Sequence, residues 1–246
     1  MTQLGIIGGS GLTALAGLRV LRRQVVQTPW GEPSGPLVVG EFAGREIFFL
    51  PRHGQPHAIP PHRINYRANL WALHENGVRR VVAVNAVGGI SAGLGPQALV
   101  IPDQIIDYTW SRAHTFFESG LDQVTHADFT APYSGEMRNL LISAAANLGL
   151  AVQTSGTYGA TQGPRLETAA EITRMERDGC HVVGMTGMPE AALARELEVG
   201  YAAICVVANR AAGRSTEPIT MELIRRNLDQ GMRKALQLLQ AVIPLL

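Results

Sequence analysis

The chain has 246 residues, of which 46% are hydrophobic and 17% are charged, and its formal net charge is +1. This composition excludes a disordered chain, and the lack of basic runs argues against a nucleic-acid-binding surface. Two cysteines are too few for a disulfide framework, and no apolar segment reaches the roughly 18 residues that a membrane span requires. The N-terminal residues are typical of a strand and a turn, not of a signal peptide. We therefore expect a cytoplasmic α/β protein that binds neither nucleic acid nor membranes and has no metal site.

The first predicted strand, residues 4–7, is followed by a glycine-rich turn with the sequence Gly-Gly-Ser-Gly. Residues 9–14 also match a relaxed dinucleotide-binding fingerprint. The segment that follows, residues 13–18, is too short for the crossover helix of such a site. Two interpretations remain: a plain turn, or a loop whose backbone N–H groups and Ser10 hydroxyl bind phosphate.

Two strands, residues 37–40 and 46–50, are predicted to form an antiparallel pair that turns at residues 43–44. The second strand is followed by Arg52 and His53. The planar guanidinium of an arginine matches the arrangement of phosphate oxygens. The alternative is an exposed arginine beside a capping histidine.

The other elements are predicted from hydrophobic periodicity and from capping residues. Helices are expected over residues 64–75, over residues 134–148, up to residue 177, from residue 189 onward and over residues 219–242. Further strands are expected at residues 20–26, 81–84, 151–158, 182–186 and 201–208, with one or two buried strands within residues 98–107. Residues 108–130 lack clear periodicity, and a loop of this length is typical of a functional flap or a subunit contact.

Polar side chains lie at the ends of four predicted strands. These ends carry Arg52 and His53, Asn85 followed by Ala86, Thr186, and Asn209. Two consecutive glycines after Asn85 predict a turn whose backbone approaches a ligand or adopts positive φ. For Thr186 alone, the start of the next helix is an equal alternative. Because open α/β sheets bind ligands at such strand ends, the sequence favours an anion site there.

Six motifs, in this order along the chain, resemble the trimeric purine nucleoside phosphorylases and more closely their methylthioadenosine phosphorylase branch. They are found at residues 5–11, 51–54 with His57, 61–69, 85–89, 163–168 and 185–190. The resemblance covers nearly the whole chain. It implies one domain over residues 1–246, with a mixed central sheet or distorted barrel flanked by helices.

The resemblance also implies an activity and an assembly. Phosphate would attack C1′ of a purine nucleoside and release the base, so that phosphate is a co-substrate and no cofactor is needed. A homotrimer is expected, because in this family the loop from His57 to Tyr66 and the segment 108–130 usually meet a neighbouring subunit's site.

Individual roles follow from the same resemblance. The phosphate-binding positions are Ser10, Arg52, His53, the backbone around Asn85 and Ala86, and Thr186. The substrate-binding positions are Met185, on the ribose, and Asn209, which reads the base, with Arg210 and Ala211 beside it. His53 and Asn209 take the catalytic roles. Phosphate bound beside His53 stabilises a cationic sugar, and a hydrogen-bond partner at N7, here Asn209, stabilises the leaving purine.

Two departures from the methylthioadenosine-cleaving branch concern the base. Asn209 and Ala211 stand where that branch has two aspartates, and Glu167 stands where it usually has a small residue. An amide donates hydrogen bonds, as the 6-oxygen of hypoxanthine requires, whereas an ionised aspartate only accepts them. Glu167 would accept from N1–H, although it is equally explained as a first-turn helix acid. The base pocket is therefore expected to select a 6-oxopurine.

The sugar end departs from the ordinary purine nucleoside phosphorylases, which bind the 5′-hydroxyl with a late histidine. No histidine follows His181, and the matching region contains Ile219, Met221 and Ile224. A polarisable methionine suits a methylthio group, although Met221 is also explained as core packing. Leu166 replaces the aromatic residue usually stacked on the base.

Together the base pocket and the sugar end of the site predict 5′-methylthioinosine as the substrate, with hypoxanthine and 5-methylthioribose 1-phosphate as the products. Methylthioadenosine is the first alternative substrate, and inosine or guanosine the second. An alternative of another class is a non-catalytic dinucleotide-binding module built on residues 9–14.

Overall fold

The structure is a computed structural model that describes residues 3–216 and 218–246, and it is built on one mixed β-sheet flanked by helices. The strands in these residues are β1 (Gln3–Gly8), β2 (Arg19–Gln24), β3 (Leu37–Phe42), β4 (Arg45–Pro51), β5 (Val78–Gly89), β6 (Leu99–Val100), β7 (Gln104–Asp107), β8 (Val152–Gln153), β9 (Thr157–Ala160), β10 (Cys180–Gly184) and β11 (Gly200–Arg210). The α-helices are α1 (Tyr66–Glu75), α2 (Gly135–Asn147), α3 (Ala169–Arg177), α4 (Gly187–Glu196) and α5 (Met221–Val242). The predicted fold class is confirmed.

Strand β5 is the point at which the sheet divides. It pairs in parallel with β1 and β11, and its last residues pair antiparallel with β10. Strand β4 is parallel to β1 on the other side. The carboxyl ends of β1, β4, β5 and β11 therefore lie along one edge of the sheet, which is where parallel sheets bind ligands.

The termini of the predicted helices are set by capping residues. Asn65, Ser134, Thr168 and Thr220 each accept a hydrogen bond from a backbone N–H in the first turn of α1, α2, α3 and α5. In α4 the regular helix begins after Met188, whose φ and ψ are non-helical, so that Pro189 opens it as predicted. Helix α5 packs against β11, and its buried face includes Leu228 and Met232.

Three sequence predictions about strands are wrong. Strand β5 continues through the expected turn to Gly89, and neither Gly88 nor Gly89 has positive φ. Residues 151–158 form parts of two short strands instead of one. Strand β7 lacks a fully buried residue. In each case pairing with a neighbouring strand, and not the local residue pattern, decides where the strand begins and ends.

Residues 108–130 form neither a helix nor a strand, as the lack of periodicity predicts. The segment instead connects β7 to α2 and contacts two helices on the way: Glu118 pairs with Arg67 of α1, and the Phe116 N–H donates to Glu196 of α4 at 2.7 Å. No helix among the described residues is long and apolar enough to cross a membrane.

Candidate active site

A cavity of about 530 Å³ lies at the edge formed by the carboxyl ends of β1, β4, β5 and β11. Most of the predicted site residues line it. These residues are Ser10, Arg52, His53, Ala86, Leu166, Glu167, Met185, Thr186, Asn209, Ala211 and Met221. They come from both ends of the sequence, and the parallel strands bring them together.

Two predicted residues, Asn85 and Arg210, do not line this cavity. The Asn85 side chain is buried beneath it, in contact with Cys205. The Arg210 guanidinium lies away from the cavity, where it donates a hydrogen bond to the Ala92 carbonyl at 3.0 Å. The structure therefore gives no support to Arg210 as a substrate-binding side chain.

The Arg52 side chain is fully buried in a bidentate ion pair. Its Nε and Nη2 atoms donate to the two carboxylate oxygens of Glu190 at 2.7 and 2.8 Å. The Tyr201 hydroxyl donates to the same carboxylate at 2.7 Å. Burial lowers the pKa of Arg52, but the charge and hydrogen bonds of Glu190 outweigh this effect and hold the pKa above its ordinary value. Arg52 is therefore a fixed cation on the cavity wall.

The glycine loop lies directly against this cation. A side-chain carbon at Gly9 would lie 2.7 Å from Arg52 Nη1 and 2.6 Å from the Val84 carbonyl oxygen, so only glycine fits there. Arg52 Nη1 itself donates to the Val84 oxygen at 3.2 Å. The close packing places the positive charge of Arg52 directly beneath the glycine loop that carries the Ser10 hydroxyl.

His53 is buried and its Nδ1 lies 2.8 Å from the carbonyl oxygen of Ile59. Burial, together with the charge of Arg52, lowers the pKa of His53 to about 4. The imidazole is thus neutral near pH 7, with the proton on Nδ1 because a carbonyl oxygen can only accept. Its Nε2 is left as an acceptor, suited to a phosphate oxygen that carries a proton.

His57 closes the other side of this pocket. Its Nε2 lies 3.0 Å from Ser10 Oγ, and its ring stacks on that of His53 with centroids 4.4 Å apart. Ser10, Arg52, His53 and His57 thus surround a space with one fixed positive charge and several hydrogen-bonding groups. Such a site favours an anion with oxygens on several sides.

The wall opposite carries a carboxylate and an amide. Glu167 accepts a hydrogen bond of 2.6 Å from the Thr161 hydroxyl, which fixes one carboxylate oxygen and leaves the other oxygen available to a ligand. The Asn209 amide donates to the Arg210 carbonyl at 2.7 Å, which leaves its second N–H and its oxygen available to a ligand. A flat heterocycle in this part of the cavity meets both donor and acceptor groups.

A third part of the cavity is apolar. It is lined by Ile219, Met221 and Ile224, at the start of α5 and just before it. Met221 is 62% exposed, so the alternative that it packs in the core is wrong. Leu166 is 46% exposed and lies on the cavity wall.

Comparison with known proteins decides the family, because the family model described as Phosphorylase superfamily matches residues 3–244. The chain belongs to the phosphorylase superfamily. A probable S-methyl-5′-thioinosine phosphorylase from Pseudomonas syringae pv. tomato is 53% identical to this phosphorylase, covering 99% of each chain. A 6-oxopurine nucleoside phosphorylase from Pyrococcus furiosus is 46% identical, covering 100% of this chain and 94% of the other.

The solved structures agree with this assignment. Methylthioadenosine phosphorylase from Schistosoma mansoni, in complex with adenine, matches this phosphorylase with a TM-score of 0.95 and 32% identity, covering 100% of this chain and 92% of that one. The predicted family is therefore confirmed, and with it the prediction that the chain is a phosphorylase enzyme and not a dinucleotide-binding module.

Sequence reasoning missed several residues of this phosphorylase site. The sequence pattern assigns no site role to Glu190, which holds Arg52, or to Tyr201, which donates to Glu190. Thr161, which holds Glu167, received no role. A buried-charge argument was the one signal available, because a fully buried arginine requires an acid somewhere in the chain.

Proposed function

We propose that this phosphorylase cleaves S-methyl-5′-thioinosine with inorganic phosphate and releases hypoxanthine and 5-methylthio-α-D-ribose 1-phosphate. The observation that supports it is the asymmetry of the cavity, with Glu167 and Asn209 on one wall and the apolar Met221 end on the other. Relatives named probable S-methyl-5′-thioinosine phosphorylase, at 44–53% identity, support the same substrate. Phosphate is the co-substrate, and no cofactor takes part.

In the proposed reaction, phosphate lies among Ser10, Arg52, His53 and Thr186, with the backbone near Asn85 and Ala86. Its charge stabilises the positive charge that develops at C1′ as the bond to the purine breaks. The neutral Nε2 of His53 accepts a hydrogen bond from the phosphate oxygen that carries a proton, which orients the attacking oxygen, and the proton stays on the phosphate. Met185 lies on the ribose.

The base is recognised by complementary hydrogen bonds. The free Glu167 oxygen accepts from N1–H of hypoxanthine, and the Asn209 amide donates to the purine, where it also stabilises negative charge on the leaving base. The small Ala211 leaves room beside it. A 6-amino purine has no N1–H and would leave Glu167 unpaired, which costs free energy in a buried site.

Further proposals concern the molecule as a whole. We propose a single nucleoside phosphorylase domain over residues 1–246 and a homotrimer in which the segment 108–130 meets a neighbouring site. A cytoplasmic location fits the two free, buried thiols, Cys180 and Cys205.

The test is a comparison of three substrates with the purified protein. S-methyl-5′-thioinosine, 5′-methylthioadenosine and inosine are each supplied with phosphate, and the release of free base is followed. We expect the first substrate to give the highest kcat/KM. Faster cleavage of methylthioadenosine would contradict the proposed base wall, and faster cleavage of inosine the proposed sugar end. No phosphate-dependent cleavage of any of them would overturn the function.

Two variants locate the selectivity. Asn209→Asp combined with Ala211→Asp should shift the preference toward methylthioadenosine, and Met221→His should shift it toward inosine, each by about tenfold or more. Met221→Leu is the matched control, since it keeps the apolar end and should keep the preference. Unchanged substrate ratios in both variants would show that these side chains do not contact the nucleoside.

A further inference from the structure

Arg112, in the irregular segment 108–130, uses its whole guanidinium to bind backbone and amide oxygens. A guanidinium has five N–H donors in one plane, and each has an acceptor here. The acceptors are the Met185 and Met188 carbonyls at 2.8 and 2.6 Å for Nη1, the Thr161 and Gln162 carbonyls at 3.1 and 2.7 Å for Nη2, and the Gln162 side-chain oxygen at 3.1 Å for Nε.

These acceptors are neutral, so the arginine is held by geometry and not by a partner charge. They lie just beyond the ends of two adjacent parallel strands, β9 and β10. A lysine has three rotatable donors on a point charge and cannot reproduce this planar set. Arg112 therefore fixes the spacing between the two backbone segments. The Trp110 N–H also links the segment 108–130 to the first of them, through the Gln162 side-chain oxygen at 3.2 Å.

Both segments belong to the nucleoside side of the cavity. Met185 lines the cavity, and the Thr161 hydroxyl holds Glu167 at 2.6 Å. The cation of the anion pocket has a separate support, because Arg52 is held by Glu190. Thr186 shares a peptide group with the Met185 carbonyl, but its N–H is also bonded to the Tyr158 hydroxyl at 3.3 Å.

We propose that Arg112 is a positioning residue for the nucleoside, which sets the places of Met185 and of the Thr161–Glu167 pair without touching the substrate. This inference rests on the proposed function. The proposal assigns the first part of the segment 108–130 a role within its own subunit, which is to hold in place the residues that contact the base and the ribose.

The experiment compares Arg112→Lys with Arg67→Lys in steady-state kinetics. Arg67 of α1 tethers the same segment away from the cavity, through Glu118 at 2.6 Å and the Thr115 carbonyl at 3.4 Å. In Arg112→Lys we expect kcat/KM for methylthioinosine to fall about ten- to hundredfold, because small misplacements near the reacting atoms have effects of this size. The KM for phosphate should change less than about threefold. Arg67→Lys should change neither.

A second variant covers the case in which Arg112→Lys does not fold. Gln162→Leu removes the acceptor that Arg112 Nε shares with the Trp110 N–H and keeps the four backbone acceptors, so it should give a smaller loss of the same kind, with the phosphate KM unchanged. An equal rise of both KM values, an equal effect of Arg67→Lys, or wild-type kinetics in both test variants would overturn the positioning role. Failure of the wild-type protein to cleave methylthioinosine would instead count against the proposed function.

Discussion

The neutral imidazole of His53 makes stability depend on pH. Its pKa is about 4 in the folded protein, against an ordinary value near 6.5, so the unfolded chain binds this proton at higher pH than the folded chain. The stabilising contribution is complete above about pH 6.5 and is lost as pH falls from about 6.5 to 4. We expect the free energy of unfolding to fall by up to about 3 kcal/mol over this window because of His53 alone.

The measurement is urea denaturation at several pH values for the wild type and His53→Asn. Asparagine can still donate to the Ile59 carbonyl but does not titrate, so the variant should show a flatter dependence between pH 6.5 and 4. His126→Asn, at an exposed position, is the control and should keep the wild-type slope. Equal slopes in wild type and His53→Asn would show that His53 is not held neutral.

The pairing of Arg52 shows what sequence reasoning can and cannot reach for one residue. An arginine at the end of an apolar strand indicated an anion site, and the structure places it on the cavity wall. Its partner Glu190 is 138 positions away in the chain. No local pattern joins two such residues, because the fold alone brings the ends of β4 and α4 together.

Glu190 links helix α4 to the sheet, so removing its negative charge or one of its hydrogen bonds should affect both stability and phosphate binding. Glu190→Gln leaves the buried Arg52 charge without its partner, which we expect to cost on the order of 3–5 kcal/mol of unfolding free energy. Tyr201→Phe removes one hydrogen bond to the carboxylate and should cost about 1.5–3 kcal/mol. In both variants the KM for phosphate should rise more than the KM for the nucleoside.

Tyr133→Phe is a matched control for this network. Tyr133 stacks on Tyr201 with centroids 5.9 Å apart, and its buried hydroxyl has no hydrogen-bond partner among the described residues. Removing that hydroxyl should therefore cost nothing measurable in denaturation experiments. A loss as large as that of Tyr201→Phe would mean that the cost of Tyr201→Phe does not report the bond to Glu190, because both variants keep the ring and remove only a hydroxyl.

Elements whose signal is local were predictable, and those decided by pairing were not. The β3–β4 hairpin follows from two apolar strands and a turn at residues 43–44, and the structure contains it. Gly88 and Gly89 indicate a turn, yet β11 pairs with both and extends β5 to Gly89. Backbone pairing with a long neighbouring strand outweighs the low strand propensity of two glycines.

The division of the sheet at β5 explains why the site has two halves. The glycine loop and Arg52 follow β1 and β4 on one arm, whereas Thr161 and Met185 follow β9 and β10 on the other. In the proposed complex, the nucleoside and the phosphate meet where the two arms join. Thr186, which follows β10, and Asn209, at the end of β11, lie at this junction. Sequence motifs listed the members of both sets, but only the strand order shows which ones share an arm.

The proposed homotrimer accounts for apolar side chains that the single chain leaves exposed. In the segment 108–130, Leu121 is 42% and Val124 is 75% exposed. Apolar side chains that project together from one loop are typical of a subunit contact. We expect light scattering to give three times the 26.4 kDa chain mass.

Replacing Leu121 and Val124 together by aspartate should lower the measured mass and, if the neighbouring loop completes the site, also lower kcat/KM for the nucleoside. Val25→Asp, at a 73% exposed position after β2, is the control and should leave both unchanged. A wild-type mass of one chain at assay concentration, with full activity, would contradict the trimer. An unchanged mass and activity in the double variant would contradict the proposed contact as well, because charged replacements at a free surface have little effect on either measurement.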